Sequence, residues 1–134
     1  MDKKPPIKPE LVCEFVGKAH GDLQRVKDLL QQEPALLNAA WDWGGGDWET
    51  ALGAAAHMGR ADIALHLLEH GARIDIFAAA MLGRLDVVQA IATTQPGALT
   101  AAGPHGIPLM AHAEKGGEAA AAVLEFLKSM DVAV

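Results

Sequence analysis

Residues 50–72 read Thr50-Ala51-Leu52-Gly53-Ala54-Ala55-Ala56-His57-Met58-Gly59-Arg60-Ala61-Asp62-Ile63-Ala64-Leu65-His66-Leu67-Leu68-Glu69-His70-Gly71-Ala72. Gly59 splits this segment in two. The second half sets Ile63, Leu67 and Leu68 on one face of a helix with 3.6 residues per turn. Gly71 follows, at the place where a residue free to take positive φ closes a helix. Alanine fills the first half, favouring helix and letting helices approach closely. The segment predicts two helices joined by a glycine turn, with apolar faces that need neighbours to cover them.

The pattern recurs on both sides. Gly21 precedes Leu29-Leu30, Gly59 precedes Leu67-Leu68, and Gly83 precedes Ile91-Ala92, each pair starting eight residues after its glycine. A weaker copy at Gly116-Gly117 leads to Val123, Leu124, Phe126 and Leu127. Gly21, Gly59, Gly83 and Gly116 are 38, 24 and 33 residues apart, so the helix pairs persist while their connections vary in length. Asp75 is placed to cap a helix beginning at Ile76 or Phe77, and Pro108 suits the first turn of another.

In its Thr-x-Leu opening, double alanine, turn glycine, Leu-Leu pair and closing Gly-Ala, residues 50–72 resemble an ankyrin repeat. Phe77 to Ile91 resembles a second copy, Ile107 to Ala113 opens a third, and Val12 to Leu37 resembles a degenerate first. The resemblance implies an all-α ankyrin-repeat solenoid of about four helix-turn-helix repeats, with one long Gly/Trp-rich connection. Its repeats would span approximately 11–40, 41–73, 74–100 and 101–130, one domain over 11–130 whose outer repeats act as caps. An extended arm, residues 1–10 with Pro5, Pro6 and Pro9, would precede it.

The family also implies that the two residues before each turn glycine face a concave groove: Ala19 and His20, His57 and Met58, Met81 and Leu82, Glu114 and Lys115. Met58, Met81 and Leu82 would make its middle an adaptable apolar contact surface. The chain departs from the family pattern in two ways. Gly53 and Met110 stand where a histidine usually ties neighbouring repeats. Arg73-Ile74-Asp75 leaves no room for the usual hairpin between repeats, so only the connections before Thr50 and before Ile107 can project a finger.

Composition narrows the partners. A 134-residue chain, 51% hydrophobic and 21% charged, forms one packed domain and is not a disordered segment. A net charge of −6, with no basic patch, argues against nucleic acid and against an anionic membrane. No secretory signal or membrane-spanning stretch is read. The single cysteine, Cys13, precludes an intrachain disulfide; a cytoplasmic location is expected.

Function is sought first in Trp41-Asp42-Trp43-Gly44-Gly45-Gly46-Asp47-Trp48-Glu49, which holds all three tryptophans among acidic residues. In an extended conformation Trp41 and Trp43 share a face, and aromatic anchors beside carboxylates suit a peptide or a cationic group. The second connection, Gly103-Pro104-His105-Gly106, puts His105 at the other end of the groove. The binding residues expected are Trp41, Asp42, Trp43, Asp47, Trp48, Glu49, His57, Met58, Met81, Leu82 and His105.

They point to a non-catalytic module that grips an unidentified protein or peptide. The alternative is a small-molecule or enzymatic pocket under the Trp-rich connection, formed by Trp41, Trp43, Asp47, His57 and His105. A nucleophile turn and a phosphate loop are missing, so no catalytic residue and no cofactor is expected. His66-Leu67-Leu68-Glu69-His70 fits a zinc-peptidase pattern, but the repeat already accounts for its leucines, and no metal is expected. The apolar final helix, Ala119 to Met130, and the tail 132–134 leave monomer or weak homodimer open.

Overall fold

A computed structural model describes residues 4–132; residues 1–3 of the expected arm and 133–134 of the tail lie outside them, and the expected arm is cut short because helix begins at Pro9, a proline at the first helical position. Four helix pairs follow one another: α1 (Pro9–Lys18) with α2 (Leu23–Gln32), α3 (Ala51–His57) with α4 (Ala61–Glu69), α5 (Ile76–Met81) with α6 (Leu85–Thr94), and α7 (Leu109–Lys115) with α8 (Ala121–Ser129). The odd-numbered helices form a continuous row, α1 on α3, α3 on α5 and α5 on α7; α2 touches α4, and α6 touches α8. This is a helical repeat fold with one β-hairpin, β1 (Ala40–Asp42) and β2 (Trp48–Thr50), in the long connection. No described helix is long and apolar enough to cross a membrane.

The core follows the predicted periodicity. Ile63 and Leu67 are buried, with Val26, Leu29 and Leu30 from α2, in a cluster that joins the first two pairs. Ile76, Val88, Leu109, Val123 and Leu127 belong to a second cluster that joins the last two. Alanines are the spacers: Ala54, Ala55 and Ala56 on α3 and Ala78, Ala79 and Ala80 on α5 are fully buried, which is what lets the inner row pack closely. Pro34–Asn38 and Pro96–Leu99 form short 3-10 turns that tuck Leu36 and Leu99 under the ends of α2 and α6.

Local signals act where the sequence puts them. Thr50 caps α3 by accepting the Gly53 N–H, and Asp75 caps α5 by accepting the Ala78 N–H. Gly71 ends α4 with φ 96°. Arg60 pairs with Asp62 and also donates to the Gly21 carbonyl at 2.7 Å, tying the first turn to the second.

Histidine supports the stack from an unexpected position. Neither Gly53 nor Met110 carries an imidazole, but His112 on α7 is fully buried, donates from Nδ1 to the Pro108 carbonyl at 2.9 Å and packs on Phe77 of α5. Burial pushes this imidazole below the ordinary histidine pKa, outweighing the opposing pull of the Pro108 carbonyl and of Asp75 and Glu49.

Two predictions follow from these contacts. Gly59 and Gly83 both turn at positive φ, 68° and 77°, but a Cβ on Gly83 would overlap the Ala119 carbonyl, whereas one on Gly59 would meet the Lys115 carbonyl oxygen at 3.1 Å. Both Gly→Ala changes carry about 1–2 kcal/mol of left-handed strain; Gly83→Ala adds about 1–3 kcal/mol of overpacking, so its denaturant midpoint falls further. For His112, the unfolded chain takes up a proton near the ordinary value of about 6.5 while the folded chain resists it. Stability is therefore complete above that pH and declines below it until the depressed folded value is passed. His112→Asn keeps a donor toward Pro108 and should make the fall in denaturant midpoint between pH 7 and 5 shallower.

Candidate functional site

The hairpin pairs Trp41 with Glu49 and Asp42 with Trp48. Strand alternation turns Trp41 and Glu49 to one face and Trp48 to the other. Trp43, two residues beyond Trp41, returns to the inner face. Asp42 Oδ1 accepts the Gly44 and Gly46 N–H groups at 2.8 and 3.0 Å, folding the loop back; Gly44, Gly45 and Gly46 all have positive φ. Asp42 thus shapes the turn.

On the inner face Glu49 is 1% exposed. Its Oε1 accepts the Trp43 indole N–H at 2.9 Å and lies 3.2 Å from His20 Nε2. Its Oε2 lies 3.0 Å from His57 Nε2 and 3.3 Å from His105 Nε2. The His57 approach is close but misaligned for a hydrogen bond, so both atoms are buried without a hydrogen-bond partner. Burial, with the neighbouring imidazoles, lowers the His57 pKa against the pull of Glu49.

His105 reaches this cluster from the finger before α7. Its backbone N–H donates to Asp47 Oδ1 at 2.7 Å and its Nδ1 to Asp47 Oδ2 at 2.8 Å, holding the Asp47 carboxyl below its usual range. The same clasp supports a left-handed backbone at His105, φ 60°, which is strained for a non-glycine residue. The fourth pair's finger therefore closes onto the second pair's hairpin, across the place where the third pair has none.

The predicted residues separate into groups. Trp43, Asp47, Glu49, His57 and His105 converge, and Trp41 packs instead against the core of the first two pairs. Trp48 points outward, 61% exposed, and Met58 is 47% exposed. Met81 corrects the expected apolar groove surface: at 2% exposure it is a core residue, packed into the cluster of the first two pairs. Leu82 is half-buried and, with Leu65, Leu68 and Ile74, lines an apolar groove of about 300 Å3 beside α4. His105 does not stand at a far end of the groove but meets the hairpin. His20, a groove-facing position outside the expected binding set, is the residue that sequence reasoning missed; its place just before a turn glycine, as with His57, was the available signal.

The pattern His66 to His70 assembles nothing comparable. His70 Nδ1 bonds the His66 carbonyl, and the two rings pack against each other. Among the described residues, the one group of three or more metal-ligating side chains is His20, Glu49, His57 and His105.

The ankyrin repeat family model matches residues 47–78, from the end of the hairpin into α5. No curated protein and no solved structure matches the chain.

The clasp yields a direct prediction. Asp47→Ala removes the acceptor for the His105 N–H, so that amide should exchange with deuterium faster than in the unaltered chain, while Leu67 in α4 keeps its protection. Unchanged exchange at His105, followed by NMR, would contradict the clasp.

Proposed function

We propose that this chain, an ankyrin-repeat protein, is a stack of four repeats over residues 11–130 that serves as a non-catalytic module for binding another protein. Ankyrin repeats are generally protein–protein interaction modules. The observation that carries the reading here is Trp48, an indole 61% exposed on a hairpin whose shape is fixed from both ends. Asp42 holds the turn, and Asp47 fastens the hairpin to the His105 finger. An aromatic side chain presented on a rigid support binds with little loss of conformational freedom and is the residue type that dominates contact energies at interfaces. Met58, 47% exposed at the end of α3, is a further exposed apolar side chain.

The partner most compatible with this surface is a protein segment with apolar and basic character, because the chain carries a net charge of −6. The second reading, a site for a small ligand, draws support from the convergence of Trp43, Asp47, His57 and His105 around Glu49. The two readings concern opposite faces of one hairpin.

A photo-crosslinking residue placed at Trp48 should capture a partner from cell extract, while the same residue at Lys128 on α8 should not. Trp48→Ala should keep the thermal midpoint of the unaltered chain and lose at least tenfold in affinity for the captured protein, about 1.4 kcal/mol or more. Equal affinity would remove the hairpin from the binding surface.

A further inference from the structure

We propose that His20, Glu49, His57 and His105 bind one divalent transition-metal ion of the zinc class through three imidazole Nε2 atoms and one carboxylate oxygen. One ligand atom from each of the four lies within 4.8 Å of the others. They come from four separate places in the chain: just past α1, on β2, at the end of α3 and on the finger before α7. A tetrahedral zinc site with bonds of about 2.0–2.1 Å sets its ligand atoms about 3.4 Å apart. The imidazole nitrogens of His20, His57 and His105 stand 3.2, 3.0 and 3.3 Å from the Glu49 oxygens, which is the scale of a coordination sphere. This site goes beyond the protein-binding reading and does not depend on it.

The tautomers give the stronger argument. His20 Nδ1 lies 3.1 and 3.0 Å from the Val16 and Gly17 carbonyl oxygens, which can only accept, so Nδ1 carries the hydrogen. His105 Nδ1 likewise donates to Asp47. In the neutral rings both Nε2 lone pairs then point at a carboxylate, acceptor against acceptor. His57 Nε2 and Glu49 Oε2 add two more buried atoms without hydrogen-bond partners. A cation at the centre turns this opposition into four bonds.

The surrounding groups match what metal ligands need. A ligating histidine donates its other N–H to a carboxylate or a backbone carbonyl, which fixes the ring and raises its basicity. His105 has the carboxylate of Asp47, and His20 has carbonyls of its own helix. The Trp43 indole N–H orients Glu49 from Oε1. Imidazole-rich donor sets select zinc-class ions over magnesium and calcium, which prefer all-oxygen coordination. Three neutral imidazoles and one carboxylate leave a net positive charge with a dication, and Asp47 behind His105 offsets it.

The test is a titration of the untagged, chelator-treated chain with zinc, read by equilibrium dialysis and metal analysis, with magnesium as a parallel arm. One zinc per chain is expected, with magnesium not retained. Glu49→Gln should weaken zinc at least tenfold, and Trp43→Phe by about ten- to a hundredfold, the range for loss of an outer partner. His66→Ala with His70→Ala should leave affinity unchanged. Zinc bound no more tightly by the unaltered chain than by Glu49→Gln, or lost with the His66 and His70 changes, would overturn the site. Because Glu49→Gln itself risks unfolding, nitrogen NMR of the unaltered chain supplies an independent measure. One equivalent of zinc should shift the Nε2 signals of His20, His57 and His105 and leave those of His66, His70 and His112 in place. Unmoved Nε2 signals, or imidazolium signals unresponsive to zinc, would mean that protons and not a metal balance Glu49.

Discussion

The short link between α4 and α5 governs the rest of the molecule. Gly71 ends α4 and Asp75 caps α5, so only a few residues separate the second helix pair from the third and no hairpin can form between them. The inner helix of the third pair is the shortest of the row, six residues, and α7 packs on α5 and also reaches α3. The turn glycines fit this closeness. Gly83 lies against Ala119, Gly116 against Met81 and Gly59 against Lys115, contacts in which a side chain has no place or little room.

Omitting one finger brings the other two together. Had the third pair carried a hairpin, it would have stood between Asp47 and His105. Without it, the Pro104–Gly106 finger reaches the β-hairpin and holds it through two hydrogen bonds to a single carboxylate. What the family arrangement would leave as an open groove is, at this end, a closed polar cluster around Glu49. A buried carboxylate is costly unless its charge is answered. Here the Trp43 indole N–H donates to one carboxylate oxygen, and the three imidazoles that surround the group come from just past α1, the end of α3 and the finger before α7. The hairpin thus differs on its two faces, aromatic and exposed on the outside, polar and enclosed within.

The strand alternation that separates Trp48 from Glu49 was legible in the sequence once the segment was read as extended. Which of the two faces turned inward was not, because Trp41, Trp43 and Trp48 are the same residue type and only packing distinguishes them. Met81 shows the same gap from the other side. Its place before a turn glycine marks a groove position, yet its side chain packs into the core cluster of the first two pairs. His20 precedes Gly21 as Met58 precedes Gly59, but an isolated histidine in a sequence carries no sign of its partners.

The sequence by itself determined the helix pairs and their order, since apolar periodicity, capping Thr50 and Asp75, and the turn glycines act over a few residues. It also determined where connections were long enough to project. Tertiary structure alone decided that Glu49, His20, His57 and His105 would meet. Glu49 lies 29 residues from His20 and 56 from His105 in the chain. Their meeting depends on how tightly alanine-lined helices stack across a missing finger. That distance is set by the sum of many packing contacts and is written in no local pattern.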